Sequence, residues 1–175
     1  MNEKELFKIL LEGKSNTLGR VLEIYDKILS SQLTVMDVYN LYKMENRIVS
    51  MRVSNILKRL WRTDSSYILP IVDQFIKDAK EYINPTFRWT IAQLFKELFH
   101  VLNLDQRIQL LFEIQRNFQL SDDWIMLSQS IDALIFAKNK KFEIGHMTTI
   151  LDNLASDERK IIQKKLKKLK LWNKK

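Results

Sequence analysis

Two Glu-x-x-His pairs contain the residues of this sequence that are best suited to bind a metal ion. The pairs are Glu97-Leu-Phe-His100 and Glu143-Ile-Gly-His146, and they hold both histidines of the 175-residue chain. A glutamate and a histidine three positions apart lie on one face of a helix, and two such pairs occur in di-iron carboxylate bundles. The alternative is that these side chains are solvated or paired locally.

Helical periodicity places the first pair away from the predicted core. On a helix over residues 86–101, the apolar side chains cluster within about 80°. Glu97 lies about 100° from the centre of that cluster and His100 about 160° from it on the same period. Because a di-iron site requires ligands that project into the bundle, the sequence predicts no metal site and no cofactor.

The sequence also lacks the common motifs of catalysis. It has no cysteine, which excludes a thiolate nucleophile, a disulfide and a cysteine-ligated metal. It contains no glycine-rich phosphate loop, no His-Glu-x-x-His and no Gly-x-Ser-x-Gly. We therefore expect a protein that is not an enzyme.

Arginines recur along one face of a helix that is predicted from about Arg47 to Trp61. The face continues just past that end and consists of Arg52, Asn55, Arg59 and Arg62. Steps of three and four residues keep side chains on the same side of a helix, and the planar guanidinium fork suits carboxylate or phosphate groups. The alternative is a solvated face whose arginines pair with Glu45, Asp64 or Glu97.

The elements that would position these residues are helices throughout. Two prolines, three glycines and 46% apolar residues favour long helices joined by short turns. Apolar residues recur with a period of about 3.6, and no segment alternates as a strand does. Three short helices are predicted before residue 43, followed by helices at about 47–61, 67–82, 86–101, 105–118, 123–137, 143–154 and 157–171. The residues predicted to be buried include Leu57, Leu94, Leu134, Phe87, Phe95 and Phe112.

Internal repeats relate these helices to one another. The stretches 49–57, 87–95, 126–134 and 158–166 align loosely, and their last residues are 38, 39 and 32 positions apart. Three of them follow a turn that contains a capping residue, and a predicted partner helix precedes that turn. Helix pairs that recur at such a period are typical of solenoids.

Two of the turns, Asn84-Pro-Thr-Phe-Arg88 and Ser156-Asp-Glu-Arg159, resemble those of HEAT-like repeats, in which an arginine follows soon after a turn aspartate. The whole pattern is similar to small bacterial HEAT-like proteins of unassigned function. This resemblance implies an all-α, right-handed α-solenoid of about four antiparallel helix pairs. It implies a single domain over residues 1–175, with irregular helices at 1–33, repeats at 34–171 and a basic end at 172–175.

The resemblance also implies where a partner binds, because the second helix of each HEAT-like pair lines the concave side. The expected binding face consists of Arg52, Asn55, Arg59, Arg62, Thr90, Gln93, Glu97, Gln129 and Asp132. We expect a non-enzymatic scaffold that binds a protein partner through this face. The alternative is a nucleic-acid-binding protein that uses the arginine row and the basic C-terminal helix, since HEAT-like DNA alkylation-repair proteins use a basic concave groove.

The positive charge of the chain is concentrated near its C-terminal end. The net charge is +8, yet residues 156–175 hold nine Lys or Arg and only two acidic residues. The rest of the chain is close to neutral, which argues against a basic surface over the whole protein. On the last predicted helix, Lys164, Lys167 and Lys168 are candidates to contact phosphate. The alternatives are a polar cap on the final repeat and an anionic membrane surface.

The sequence shows no targeting segment and no segment that would span a membrane. No stretch approaches the roughly 18 consecutive apolar residues of a membrane span. The first residues, Met1–Glu12, are charged and amphipathic and lack the apolar run of a signal peptide. We therefore expect a cytoplasmic protein.

Overall fold

A computed structural model describes residues 1–15, 17–145 and 147–171, and the chain divides into two compact units, Met1–Asp73 and Gln74–Lys175. Over the described residues the chain forms ten α-helices and three short 3-10 helices, with no strand. The prediction of an all-α protein is therefore confirmed. The single repeat domain over residues 1–175 stays a prediction.

The first unit is built around its longest helix. Its elements are α1 (Glu3–Leu11), α2 (Val21–Leu29), α3 (Val35–Tyr39), a 3-10 helix (Asn40–Met44), α4 (Arg47–Thr63), two further 3-10 helices (Ser65–Tyr67 and Leu69–Ile71) and the start of α5 (Val72–Asp78). Helices α1, α2 and α3 all pack against α4. A helix with neighbours on several sides buries more than one stripe of residues.

Helix α4 begins at a strong capping residue. The Asn46 Oδ1 accepts hydrogen bonds from the backbone N–H groups of Ile48 and Val49, which satisfies two donors that have no partner inside the helix. Its apolar residues recur at helical spacing, and Leu57 is fully buried, as the sequence predicts. The predicted helix from about Arg47 is confirmed, and its end lies two residues later than expected, at Thr63.

The segment after α4 differs from the single helix predicted over residues 67–82. It contains 3-10 turns at Ser65–Tyr67 and Leu69–Ile71 before α5, which ends at Asp78. Pro70 lies within the second turn. Because proline has no N–H and its ring crowds the preceding turn, the chain winds into an α-helix only after it.

The second unit contains the end of α5 and five more helices. They are α6 (Pro85–Leu98), α7 (Leu104–Leu120), α8 (Trp124–Asn139), α9 (Met147–Asn153) and α10 (Lys160–Leu171). Helix α8 lies at the centre and packs against α6, α7 and α10, while α7 also packs against α6 and α9. The side chains of Leu94 and Leu134 are fully buried, which confirms the prediction for both.

The last helix covers one side of α8 with an apolar stripe. Ile162, Leu166 and Leu169 of α10 are buried, whereas most of the remaining side chains described on this helix are exposed. Trp172, the next residue of the predicted stripe, lies outside the described residues. Helix α10 is therefore held by the same kind of apolar face that holds the other helices, despite its many lysines.

Candidate functional site

Arg52 was expected on an open binding face, and that prediction is wrong. Its side chain is 1% exposed. The Nη1 group donates to the backbone oxygens of Leu10 and Glu12, both at 2.6 Å, and Nη2 donates to those of Lys14 at 2.9 Å and Thr17 at 3.2 Å. Arg52 thus holds the loop that follows α1, because its fork of donors satisfies carbonyl groups that no helix uses.

Thr90 is the second residue of the predicted face that is buried. Its side chain is 0% exposed, and its Oγ1 donates to the backbone oxygen of Thr86 at 2.7 Å. The reason is that α6 packs against both α7 and α8, so a residue opposite one apolar stripe still meets a neighbouring helix. The prediction for Thr90 is therefore wrong.

The remaining predicted residues of the second unit lie on partly covered surfaces. Gln93 and Glu97 of α6 and Gln129 and Asp132 of α8 are all half-buried. Two lysines bind side chains of this area. Lys165 donates to Asp132 at 2.6 Å, and Lys96 donates to Gln129 at 3.2 Å and lies 4.0 Å from the carboxylate of Asp132. This part of the predicted face is a neutral, internally bonded patch.

In the first unit, three predicted residues do come together in a cleft between α2 and α4. The cleft has a volume of about 420 Å³ and is lined by Tyr25, Asn55, Lys58, Arg59, Arg62 and Thr63. We call it the basic cleft. Three of these six side chains are cationic, and no acidic residue is among the described residues that line it. A concavity of this size is in the range that holds a ligand side chain or a small molecule.

Two hydrogen bonds within the basic cleft join four of its side chains in pairs. The Nε of Arg59 donates to Asn55 Oδ1 at 2.9 Å, one helical turn earlier on α4. The hydroxyl of Tyr25 on α2 lies 2.7 Å from the hydroxyl of Thr63, which ties the two helices together at the cleft. Asn55 therefore holds the Nε edge of the Arg59 guanidinium. The two Nη groups of Arg59 form a planar fork that suits a carboxylate or phosphate.

A buried polar network crosses the second unit. Arg88 of α6 is 0% exposed, and its guanidinium donates to Asn117 Oδ1 at 2.6 Å and to Glu113 Oε2 at 3.1 Å, both on α7. Asn117 in turn donates to Ser130 of α8 at 2.7 Å. Burial lowers the pKa of Arg88, and the hydrogen bond that Arg88 donates to Glu113 opposes that shift. The network links α6, α7 and α8. Its charged groups, Arg88 and Glu113, are almost completely buried, so we assign the network a structural role.

Phe112 was expected in the core, and the structure places it on the surface instead. It is 59% exposed, and Leu104 and Ile108, on the same face of α7, are 60% and 51% exposed. Sequence analysis missed this row because α7 also carries a buried apolar stripe. Apolar residues on two separate faces of the predicted helix could have indicated this row. One apolar stripe is enough to pack a helix against a core, so a second apolar face is available for another contact.

Grooves flank this exposed row on both sides. One groove lies between α7 and the end of α5, has a volume of about 520 Å³ and includes Ile76, Lys80 and Arg116 in its lining. The other lies between α7 and the chain after α8, has a volume of about 490 Å³ and includes Lys141 and Phe142. Ile108 and Phe112 line both grooves and form the ridge between them.

Only one of the two Glu-x-x-His pairs, Glu97 with His100, lies entirely within the described residues. Within residues 1–15, 17–145 and 147–171, no group of three or more His, Cys, Asp or Glu side chains is placed to hold a metal ion. His100 is exposed and Glu97 is half-buried. His146 lies outside the described residues.

The lysines of α10 divide into two sets. Lys164, Lys167 and Lys168 are exposed and point away from the buried stripe of this helix. Lys165 instead donates to the backbone oxygen and the hydroxyl of Ser128 and to Asp132. These three lysines, together with Lys160 and Lys170, which are also exposed, give one helix a basic surface, and Lys165 fastens α10 to α8.

Comparison of the chain with protein-family models, with curated proteins and with solved structures gives no match. Among the helices described here, none has the length and apolar character needed to cross a membrane. Two surfaces thus stand out for function: the basic cleft of the first unit and the α7 row of the second.

Proposed function

We propose that this chain is a non-enzymatic binding module whose basic cleft takes up carboxylate side chains of an acidic protein partner. The observation that carries this proposal is the convergence of Lys58, Arg59 and Arg62 in one cleft of about 420 Å³. Cationic side chains that line one concavity favour an anionic group, and the planar guanidinium fork suits a carboxylate. The partner supplies Asp or Glu residues that enter the cleft.

A helical-repeat arrangement of the HEAT-like type is part of this proposal. The sequence assigns α6, α8 and α10 as the second helices of successive pairs. In the second unit α6 packs against α8, and α8 packs against α10, which is the order expected for stacked pairs. That packing supports a stack of helix pairs in the second unit, and such folds bind partners through extended surfaces.

A protein partner fits the charge distribution of the first unit better than a nucleic acid does. Residues 1–73 hold eleven Lys or Arg and nine Asp or Glu, so the cations of the cleft stand on a nearly balanced background. Nucleic acids require a basic surface that follows many phosphates. A local cleft with three cations instead suits one or two carboxylates.

The test is a binding titration of the full chain with a fluorescein-labelled peptide of Glu, Gly and Ser, followed by fluorescence anisotropy. We expect the variant Arg59→Gln to weaken binding by at least about tenfold, because it removes a charge-assisted, two-pronged hydrogen bond. The matched control is Arg47→Gln, which removes an exposed arginine from the same helix outside the cleft. A peptide with Gln in place of Glu should not bind.

Equal binding by the Arg59→Gln and Arg47→Gln variants would contradict the proposal, since the peptide would then be held by general charge attraction. The salt dependence gives a second criterion. A contact with one or two carboxylates should weaken only modestly between low and physiological salt, because the cleft shields it in part from the solution.

The alternative function is nucleic-acid binding, and the exposed lysines of α10 favour it. Lys164, Lys167 and Lys168 lie together on the outer side of this helix. If they contact duplex DNA, log affinity should fall with log salt by about 0.9 for each phosphate neutralised. We expect weak DNA binding, in the non-specific range of about 10⁻⁴–10⁻⁶ M, that depends on these lysines and not on Arg59.

A further inference from the structure

The exposed apolar row of α7 is a feature that the basic cleft does not use. Leu104, Ile108 and Phe112 follow one another at steps of four residues. They span about 12 Å along the helix, which is slightly more than two turns. The centre of this row lies about 140° around α7 from the centre of its buried face at 3.6 residues per turn.

This row is more than a set of isolated surface residues. A large side chain that is half exposed is common on its own, whereas three in one line beside two concave grooves are typical of a contact surface. Ile108 and Phe112 form a ridge, and the grooves of about 490 and 520 Å³ lie on its two sides. A ridge between grooves matches the side-chain rows of a packed helix.

The charges beside the ridge select the kind of helix that fits. Lys80 and Arg116 line one groove, and Lys141 lines the other. The acidic residues in these linings are Glu143, which is exposed, and Glu113, which is buried and bonded to Arg88 and Arg116. Cations therefore outnumber accessible carboxylates around the apolar row. A partner with acidic flanks gains most from Lys80 and Lys141, because Arg116 already pairs with Glu113.

The same charges argue against a second copy of this chain as the occupant. Two copies that paired through α7 would bring two sets of Lys80, Arg116 and Lys141 into one interface. Like charges at an interface oppose association. The neighbouring Glu143 offers too little negative charge to balance them.

We infer that the α7 ridge binds an amphipathic helix of a partner protein, with apolar residues against Ile108 and Phe112 and acidic residues toward Lys80, Arg116 and Lys141. Helices dock in this way when their apolar positions recur at steps of three and four residues. Phe112 is the anchor, because aromatic side chains at the centre of a contact carry much of its affinity. This surface is independent of the basic cleft, so the chain offers two binding sites of different chemistry.

The experiment uses the full chain and two synthetic helical peptides. Both peptides carry Leu on one face, and one has Glu on its other face while the second has Lys there. Isothermal titration calorimetry measures affinity, and amide chemical shifts map the site. We expect the Glu peptide to bind and to shift resonances of α7 and the end of α5, and the Lys peptide to bind at least about tenfold more weakly.

Variants separate the ridge from general hydrophobic binding. Phe112→Ser and Ile108→Ser should each weaken binding of the Glu peptide by at least about tenfold. Trp124→Ser is the matched control, because Trp124 is an aromatic residue that is 47% exposed on a different helix. Since all three residues are exposed, circular dichroism should show the same helix content in each variant.

Three outcomes would overturn this inference. They are equal affinity for the two peptides, an unchanged affinity in Phe112→Ser, and a dimer in sedimentation velocity that Phe112→Ser converts to a monomer. The last outcome would assign the ridge to a second copy. Arg59→Gln distinguishes this proposal from the basic cleft, because it should leave binding of the helical Glu peptide unchanged.

Discussion

Gly19 lies against the guanidinium of Arg52, so closely that a Cβ at this glycine would be 2.8 Å from Cζ of the arginine. The same Cβ would be 2.9 Å from the backbone oxygen of Glu12. Gly19 also has a φ of +56°, in the left-handed region that favours glycine. The turn before α2 therefore needs a residue with no side chain, because the arginine fills the space where one would lie.

Replacing Gly19 with alanine should destabilise the protein by about 1–3 kcal/mol, because the new methyl group displaces Arg52 from its carbonyl partners. Gly13→Ala is the control. Gly13 has a φ of +87°, but its Cβ would meet no atom closer than 3.8 Å, so this change adds backbone strain without the collision. Chemical denaturation measures both free energies of unfolding. Equal losses in the two variants would contradict the role assigned to Arg52.

Removing the Arg52 guanidinium should cost at least about 2 kcal/mol of unfolding free energy, since several carbonyl groups lose a charged donor. The variant is Arg52→Met, which keeps much of the length of the side chain. Amide exchange should accelerate in residues 17–19 of the loop before α2. Arg47→Met, at the exposed start of the same helix, should change the stability by less than about 0.5 kcal/mol. If Arg52→Met also changed the free energy of unfolding by less than about 0.5 kcal/mol, the anchoring role of Arg52 would be refuted.

Breaking the Arg88–Glu113 pair on one side should cost about 3–5 kcal/mol, because Glu113 stays buried with only Arg116 to bind it and Asn117 also loses its charged donor. We expect this loss for Arg88→Met. The double variant Arg88→Met with Glu113→Leu should recover part of it, since no buried carboxylate then remains. A double-mutant cycle from denaturant melts measures the coupling. Additive losses would show that the two side chains act independently.

Shortening a leucine in the core should lower the free energy of unfolding strongly, whereas shortening an exposed leucine should change it only slightly. Leu94→Ala removes a fully buried side chain of α6 and should cost about 2–5 kcal/mol. Leu104→Ala removes a side chain that is 60% exposed and should change the stability by less than about 0.5 kcal/mol. The comparison uses equilibrium unfolding by urea. A loss below about 1 kcal/mol for Leu94→Ala would contradict its place in the core.

Acid should weaken the junction that precedes α10. The hydrogen bond from Arg159 holds the pKa of Asp157 below its ordinary value of 3.8, with Nε donating to Oδ1 at 2.9 Å. Because the folded pKa is the lower one, the stabilisation is complete above the unfolded pKa and is lost as pH falls through the folded pKa. Asp157→Asn should therefore reduce the difference in unfolding free energy between pH 7 and pH values below about 4. An unchanged difference would exclude a contribution from this pair.

The periodicity of apolar residues was enough to predict most of the larger helices and the burial of Leu57, Leu94 and Leu134. It could not predict that the side chain of Arg52 is buried. A polar residue opposite an apolar stripe is solvated when that side is open and buried when another segment covers it. The covering segment here is the last turn of α1 together with the loop after it, at 35 to 42 positions before Arg52, and the loop has no periodic pattern of its own.

The two candidate surfaces also differ in how far the sequence could predict them. Steps of three and four residues were enough to place Asn55, Arg59 and Arg62 on one side of α4, and these residues do line one cleft. The same rule misassigned Phe112, because α7 has two apolar faces and the pattern does not say which one meets the core. Only the positions of α6, α8 and α9 around α7 decide that.

The contact between Arg52 and the loop before α2 also sets an order of events during synthesis. The arginine follows Leu10, whose carbonyl it binds, by 42 positions. At roughly 5–20 residues per second, a ribosome adds Arg52 about 2–8 s after Leu10. During that interval the loop has only water to bind its carbonyl groups, and α1 has no α4 to pack against. Helix α1 and the loop after it are thus made before α4 but are fixed in place only once α4 is present.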